Sequence, residues 1–296
     1  MSEWHRVRVP ASSANLGPGF DALGVALSIH LECRFRRSDA LRIQVTGRDA
    51  DLIPADESNL IWRTARDAAG VSLPPLEIEI RNQIPIGKGL GSSAAALVAG
   101  LAIADRAAGL GWTRERLLDE AARLEGHPDN VAACVLGAVV VTATGSGGRI
   151  HALRLDLPAA FRIGVVMPNF QLPTSQMRAV LPDRYSSADA VFNLQRTALL
   201  VAAFATGDAS VFPTALEDRL HQPYRAGVVP GLEEILALRA PGLLGCALSG
   251  AGPAVLVFFE RGAEGCLEQV RQIFERRGLC AEIIPAEVEK EGYGVT

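Results

Sequence analysis

No apolar run in this sequence is long enough to cross a bilayer. The longest candidate, Ala94 to Ala104, is followed at once by Asp105-Arg106 and reads as a buried helix. The opening Met-Ser-Glu-Trp-His-Arg lacks the charged-then-apolar profile of a secretory signal. Cysteine is sparse. Cys33, Cys134, Cys246, Cys266 and Cys280 are odd in number and far apart, no pair has metal-ligand spacing, and the five histidines do not cluster with them. Buried, reduced thiols in a cytoplasmic protein are the expectation. An excess of positive charge is missing too. A net charge of −4 offers no general attraction to nucleic acid or an anionic membrane, and neither is expected as a partner. The pairs Arg36-Arg37 and Arg276-Arg277 read as solvated surface. What is present is 296 residues, 49% hydrophobic and 21% charged, enough to bury the core of one large domain or two moderate ones.

The pattern along the chain is mixed. Leu41 to Val45 and Leu76 to Ile80 alternate apolar and polar residues, as half-buried strands do. Helices are predicted over Leu60 to Ala69, over Ser92 to Ala108 (apolar almost all round, hence central), and after Thr113, with Gly126 and Pro128 ending this third one. Gly137 to Ala143 reads as a buried strand, and the turn-rich Thr144 to Gly148 marks a soft boundary between lobes 1–150 and 151–296. Beyond it, strands are expected at Arg162 to Met167, Ala254 to Phe259 and Cys280 to Ile284, with helices at Ala188 to Ala205 and Glu264 to Arg277. The class is α+β, in two lobes.

One segment carries the most chemistry: Ile84-Pro-Ile-Gly-Lys-Gly-Leu-Gly-Ser-Ser-Ala-Ala-Ala96, joining a strand to the central helix. Gly87, Gly89 and Gly91 let the backbone bend tightly and approach a ligand closely. Ser92 and Ser93 open the helix, whose free N–H groups and positive dipole end favour anions. Their hydroxyls can bond phosphate oxygens or ligate Mg²⁺. Lys88 is followed by Gly89 rather than Ser or Thr, so this is not a Walker A loop, and the last glycine of the dinucleotide fingerprint is replaced by serine. A glycine-rich turn capped by serine is the competing structural account. Two further glycine-bearing segments accompany it, Val9-Pro-Ala-Ser-Ser-Ala-Asn-Leu-Gly-Pro-Gly-Phe-Asp-Ala-Leu-Gly24 and Ala247-Leu-Ser-Gly-Ala-Gly-Pro-Ala-Val-Leu-Val257. Each alone is a weak signal.

Together, in this order, the three segments resemble the GHMP kinase superfamily. Pro85, Ile86, Gly87, Lys88, Gly89, Leu90, Gly91, Ser92, Ser93, Ala94 and Ala95 resemble its ATP motif, and Ser249-Gly-Ala-Gly-Pro253 its third motif. Pro10 to Gly24 and Glu125-Gly-His-Pro-Asp-Asn130 are similar to the branch that acts on homoserine. The resemblance spans essentially the whole chain. It implies an N-terminal lobe like ribosomal protein S5 domain 2, a ferredoxin-like C-terminal lobe, and an active site between them that uses Mg-ATP on L-homoserine as small-molecule substrate. A homodimer is common among such relatives; the sequence itself gives no oligomeric state.

A zwitterionic alcohol needs an anion for its ammonium, a cation for its carboxylate, and room for its hydroxyl beside the γ-phosphate. The resemblance assigns Asp21 to the ammonium and Asn15 to the substrate, with Arg178 and Arg225 gripping the carboxylate or the transferring phosphoryl group. It assigns Glu125 to Mg²⁺, with Ser93 or Ser92 as the second oxygen, and His127 to the substrate. Thr174 is expected near the phosphates or the substrate hydroxyl, Asn59 near the adenine, and Lys88 as added positive charge. Some relatives use an aspartate at Asp129 as base; in the homoserine branch the resemblance implies that no strong base is required and that Asn130 occupies this point. Each assignment has a plainer counterpart: a turn role for Asp21, surface pairing for the arginines, a structural role for His127. Two other functions stay open. A mevalonate- or sugar-type kinase of the same fold needs no ammonium partner, and a non-catalytic nucleotide-binding protein would not need Glu125, Ser92, Ser93 and Arg178 intact. Serine hydrolase chemistry lacks its Gly-x-Ser-x-Gly elbow.

Overall fold

The computed structural model describes residues 3–296, so Met1 and Ser2, and the signal-peptide reading that begins on them, lie outside it. The first half runs β1 (His5–Ala14), β2 (Leu23–Arg37), β3 (Arg42–Gly47), α1 (Leu60–Ala69), β4 (Leu76–Asn82), α2 (Ser92–Ala108), α3 (Arg114–Glu125), α4 (Pro128–Leu136), β5 (Val139–Thr144) and β6 (Ile150–Leu155). The second half runs β7 (Phe161–Pro168), α5 (Thr174–Ala179), α6 (Ser187–Thr206), α7 (Phe212–Ala215), α8 (Gln222–Ala226), α9 (Leu232–Leu236), β8 (Leu243–Leu248), β9 (Val255–Glu260), α10 (Gly265–Arg276), β10 (Ala281–Ile284) and β11 (Gly294–Val295).

Two sheets organise these elements. In the first, the strand order is β11-β1-β2-β4-β3, with β5 also paired to β2 and β6 to β5. The long β2 is shared: its first residues, Leu23 to Val25, pair with β5, and Leu31 to Arg37 pair with β4. Strand β4 alternates buried and half-exposed side chains, the period of two that burial of one sheet face imposes. Helix α2 lies at the centre of this lobe, buried along most of its length, because its sequence offers almost no polar face. The second sheet, β10-β7-β9-β8, is antiparallel and packs against α9 and α10.

Several expectations differ from the structure in instructive ways. Pro128 does not close α3; it sits in the first turn of α4, where its missing N–H costs nothing. Strand β6 pairs with β5, and the C-terminal residues return to the first sheet through β11. A division at residue 150 therefore cuts across that sheet. Of the five unpaired thiols, four are buried, but Cys280 is exposed. No helix among the described residues is long and apolar enough to cross a membrane.

Candidate functional site

A cleft of about 230 Å³ opens between the lobes. Its floor is the start of α2. Gly87, Gly89 and Gly91 all have positive φ, and the side chain of an alanine at Gly89 would meet the Ser249 carbonyl at 2.1 Å. The loop is thus closely fitted to the Ser249–Gly252 turn of the other lobe, whose Ser249 hydroxyl lies 2.7 Å from the Gly89 carbonyl. The N-caps of α1, α3 and α6 are Asn59, Thr113 and Ser186, each with a side chain accepting from the first turn. Helix α2 begins from Gly91 with no such cap. Its first N–H groups face the cleft without a side-chain acceptor, the condition that favours an anion.

The N-terminal lobe supplies the carboxylates. Glu125, the last residue of α3, accepts from the Ser93 hydroxyl at 2.9 Å. Burial without a neighbouring cation in direct contact raises the Glu125 carboxyl above its ordinary 4.5. One carboxylate and one hydroxyl at this spacing suit a hard cation that keeps most of its water, so the residues present fit Mg²⁺. In the first turn of α4, Asp129 is 1% exposed and its Oδ1 accepts from His127 Nδ1 at 2.7 Å and from the Asn130 backbone at 2.7 Å. Burial pulls the His127 imidazole down, but the Asp129 hydrogen bond and the charges of Asp129, Glu125 and Asp21 outweigh it and leave it raised. Asn130 accepts from the Ser12 hydroxyl at 2.8 Å, and its amide N–H₂ has no partner among the described residues.

Asn15 and Asp21 belong to the loop between β1 and β2, and both adopt positive φ. Asn15 staples the loop: its Nδ2 donates to the Gly250 carbonyl at 3.1 Å and its Oδ1 accepts from the Asp21 N–H at 3.0 Å. The C-terminal lobe supplies the guanidiniums. Arg178, in α5, donates to both Asp21 oxygens at 2.8 and 3.2 Å, so the two residues expected to hold opposite ends of the substrate here hold each other. Arg225, in α8, is 2% exposed. Its Nε donates to the Met177 carbonyl and its Nη1 to the Gly250 carbonyl and His221 Nδ1, while Nη2 has no partner among the described residues. Burial, then the nearby Arg178 charge, lowers the Arg225 pKa to about 10, still cationic at neutral pH.

The cleft brings together Asn15, Asp21, Gly87, Gly89, Leu90, Gly91, Ser92, Ser93, Glu125, His127, Asp129, Asn130, Thr174, Arg178 and Arg225. Six expected nucleotide residues do not line it. Ala94 and Ala95 are buried within α2, and Pro85 and Ile86 precede the cleft, with the Ile86 N–H donating to Asp49. Asn59 is a helix cap: its Oδ1 accepts from Ile61 and Trp62, and its Nδ2 donates to the Pro54 carbonyl. Both ends of the amide are committed. Lys88 turns away from the cleft, its Nζ donating to the Pro168 and Phe170 carbonyls at 2.9 and 2.7 Å, where burial lowers its pKa. It ties the phosphate loop to the other lobe rather than adding charge to the cleft.

Three contributors escaped sequence reasoning. Ser12 orients Asn130, Phe20 lies 5.6 Å from the guanidinium carbons of both Arg178 and Arg225, and His221 bonds Arg225. Only the last had a local signal, the four-residue spacing that puts His221 and Arg225 one helical turn apart.

Comparison with known proteins adds an independent line. Residues 59–138 match the GHMP kinases N terminal domain and residues 200–276 the GHMP kinases C terminal. The chain is 59% identical to a homoserine kinase of Solibacter usitatus (strain Ellin6076), covering 100% of this chain and 98% of that one. It is 43% identical to a homoserine kinase of Deinococcus radiodurans, over 97% and 95% of the two chains. The crystal structure of a homoserine kinase from Cytophaga hutchinsonii superposes with a TM-score of 0.86 at 28% identity, covering 100% of this chain and 98% of the other.

Proposed function

Given that the chain belongs to the homoserine kinases of the GHMP kinase family, we propose that the cleft between its lobes binds the zwitterionic alcohol across the Asp21–Arg178 ion pair and the triphosphate at the open end of α2. The protein is an ATP-dependent kinase that transfers the γ-phosphate to the side-chain hydroxyl of homoserine. The observation that carries the proposed assignment is the segregation of charge: Asp21, Glu125 and Asp129 stand on one lobe, Arg178 and Arg225 on the other. A zwitterion between them meets both signs. Its ammonium takes Asp21, and its carboxylate takes Nη2 of Arg225, part of a planar donor suited to carboxylates. Arg178, released from Asp21, then turns one face toward the transferring phosphoryl group.

Ser93 and Glu125 would hold Mg²⁺, which when bound neutralises phosphate charge. The cleft is smaller than the roughly 300–1,000 Å³ of a drug-sized ligand site, so it suits the amino acid and the terminal phosphates, with the rest of the nucleotide outside. Asp129 holds its neighbours in this reading rather than acting as base: its Oδ1 accepts from His127 and the Asn130 N–H, and a loose transition state asks for no strong base. Asn130 instead offers an N–H donor beside the acceptor alcohol. Alignment and charge stabilisation then supply the acceleration, with Thr174 donating at the mouth of the cleft. A cytoplasmic setting, suggested by the unpaired thiols, belongs to the same proposal.

The test is coupled ADP release with homoserine, mevalonate, galactose and threonine. Homoserine should turn over best, and Asp21→Asn should raise its KM by about tenfold, a hydrogen bond between charged groups at this half-exposed carboxylate being worth roughly 1.5 kcal/mol. Equal KM for the variant and the parent chain would remove Asp21 from the ammonium.

A further inference from the structure

Arg225 reaches the cleft from a helix of five residues, too short to hold a long flexible side chain by itself. Three groups hold its guanidinium from outside α8's own backbone bonding, the Met177 carbonyl at 3.2 Å, the Gly250 carbonyl at 3.0 Å and His221 Nδ1 at 3.1 Å. The last contact fixes the chemistry of the imidazole. A guanidinium can only donate, so Nδ1 must be an unprotonated acceptor. The other ring nitrogen, Nε2, lies 2.7 Å from the Gly17 carbonyl, which can only accept, so Nε2 must carry the proton. One neutral tautomer satisfies both contacts, and neither the other tautomer nor the imidazolium does.

The surroundings agree. His221 is fully buried, and its ring stacks on Phe20 at 5.3 Å with a 25° interplanar angle. The charges facing it are Asp218, whose Oδ2 lies 3.4 Å from Nε2, and Arg225 and Asp21. Asp218 is itself occupied by the N–H groups of Leu220, His221 and Gln222 and by the Asn193 amide. Burial keeps the ring neutral by lowering its pKa from the ordinary 6.5. Gly17 and Phe20 belong to the same loop as Asn15 and Asp21, so the imidazole joins the loop that carries the carboxylate to the helix that carries the cation.

We propose that His221 is a positioning residue for the amino-acid substrate: as the neutral imidazole protonated at Nε2, it ties the Gly17 loop to Arg225 and fixes the distance between the cation and Asp21. The proposal rests on the assignment of the substrate carboxylate to Arg225. Two near-isosteres separate the contacts. His221→Asn keeps an oxygen near the Nδ1 position and loses the donor to Gly17; His221→Gln keeps an N–H near the Nε2 position and loses the acceptor for Arg225. Each removes one hydrogen bond; a merely structural histidine would lower the unfolding temperature without raising the homoserine KM relative to the ATP KM.

The experiment is steady-state kinetics on the full chain, varying homoserine at saturating ATP and then the reverse, with thermal unfolding of each variant. Each variant cuts the tie at one end, so both should raise the homoserine KM, by about tenfold for His221→Gln, which frees the cation itself, and by at least about threefold for His221→Asn, with the ATP KM unchanged. A homoserine KM at the parent value in both variants, or homoserine and ATP KM values that rise together, would overturn the proposal. Nitrogen NMR of the unsubstituted protein tests it without any variant: a proton on Nε2 alone at neutral pH is expected, and a proton on Nδ1 would sink it. Arg225→Gln separates the two layers of argument. Should it leave the homoserine KM unchanged, the carboxylate assignment fails; should it raise that KM while His221→Gln does not, only the role of His221 fails.

Discussion

At the scale of single residues, Glu125 makes the sharpest prediction, because its environment is wrong for a lone carboxylate. Burial raises its pKa, so the folded state holds the proton to a higher pH than the unfolded chain does. The linkage follows from that sign: stability falls as pH rises from 4.5 through the folded value, and above it the ionised form is carried at a cost. A bound cation removes that cost. Glu125→Gln, which mimics the protonated form, should therefore raise the unfolding temperature of the free protein at pH 7.5 while depressing turnover strongly. In the parent chain, Mg²⁺ with ADP should raise the unfolding temperature more at pH 7.5 than at pH 5, and the variant should lose most of that difference. Thermal scans at the two pH values decide it; an identical response from the variant would take Glu125 off the metal. This carboxylate was legible in the sequence because it stands at a helix end before Gly126, where the dipole disfavours it. The Asp21–Arg178 pair was not. Each residue was legible in its own motif, but 157 positions separate them, and no local pattern reveals that each is the other's partner before substrate arrives.

At the scale of elements, α1 and α2 divide structural from functional ends. The α1 N-terminus is closed by Asn59 and the α2 N-terminus is open. Asn59→Ala should cost about 1 kcal/mol of stability, the usual worth of a cap, and leave the ATP KM unaltered. Gly91→Ala should do both kinds of damage. Its φ of 67° is left-handed, and the new methyl would stand 2.0 Å from the Ser12 hydroxyl that orients Asn130. Left-handed strain of roughly 1–2 kcal/mol and overpacking of roughly 1–3 kcal/mol add at one site. A fall in stability together with a raised ATP KM is expected, from denaturant titration and the ADP-release assay. A rise in ATP KM for Asn59→Ala would return that residue to the nucleotide. Helix α2 was legible to the residue because it is apolar almost all round and bounded by Gly91 and Gly109. Helix α4 was hidden by Pro128, which looks the same from sequence whether it ends one helix or begins the next.

At the scale of the whole molecule, the lobes are tied in more than one way. Arg48 pairs with Glu282, and Lys88 bonds the Pro168 and Phe170 carbonyls. The tail makes another tie: after β10 the chain leaves the second sheet and returns to the first. Strand β11 was invisible to sequence reasoning because two residues carry no period, and their partner β1 lies at the opposite end of the chain. The return is nevertheless substantial. Backbone bonds join Glu287 to Ser28, Glu289 to both Ala26 and Ala138, Tyr293 to Cys134, and Thr296 to Arg6 in both directions. Gly292 lies so close to α4 that a methyl there would meet the Val135 carbonyl at 2.0 Å. These contacts brace the C-terminal end of the helix whose first turn holds Asp129 and Asn130. At about 1 kcal/mol each, the six bonds approach the roughly 5–15 kcal/mol that separates a folded domain from its unfolded state. Deleting residues 286–296 should therefore unfold much of the first lobe at 37 °C, with loss of activity. Ending the chain after Glu291 keeps the bonds of Glu287 and Glu289 and should give a folded protein of lower unfolding temperature that still turns over homoserine. Thermal unfolding and ADP release on both truncations test the brace, and full stability of the shorter chain would show that α4 stands without it.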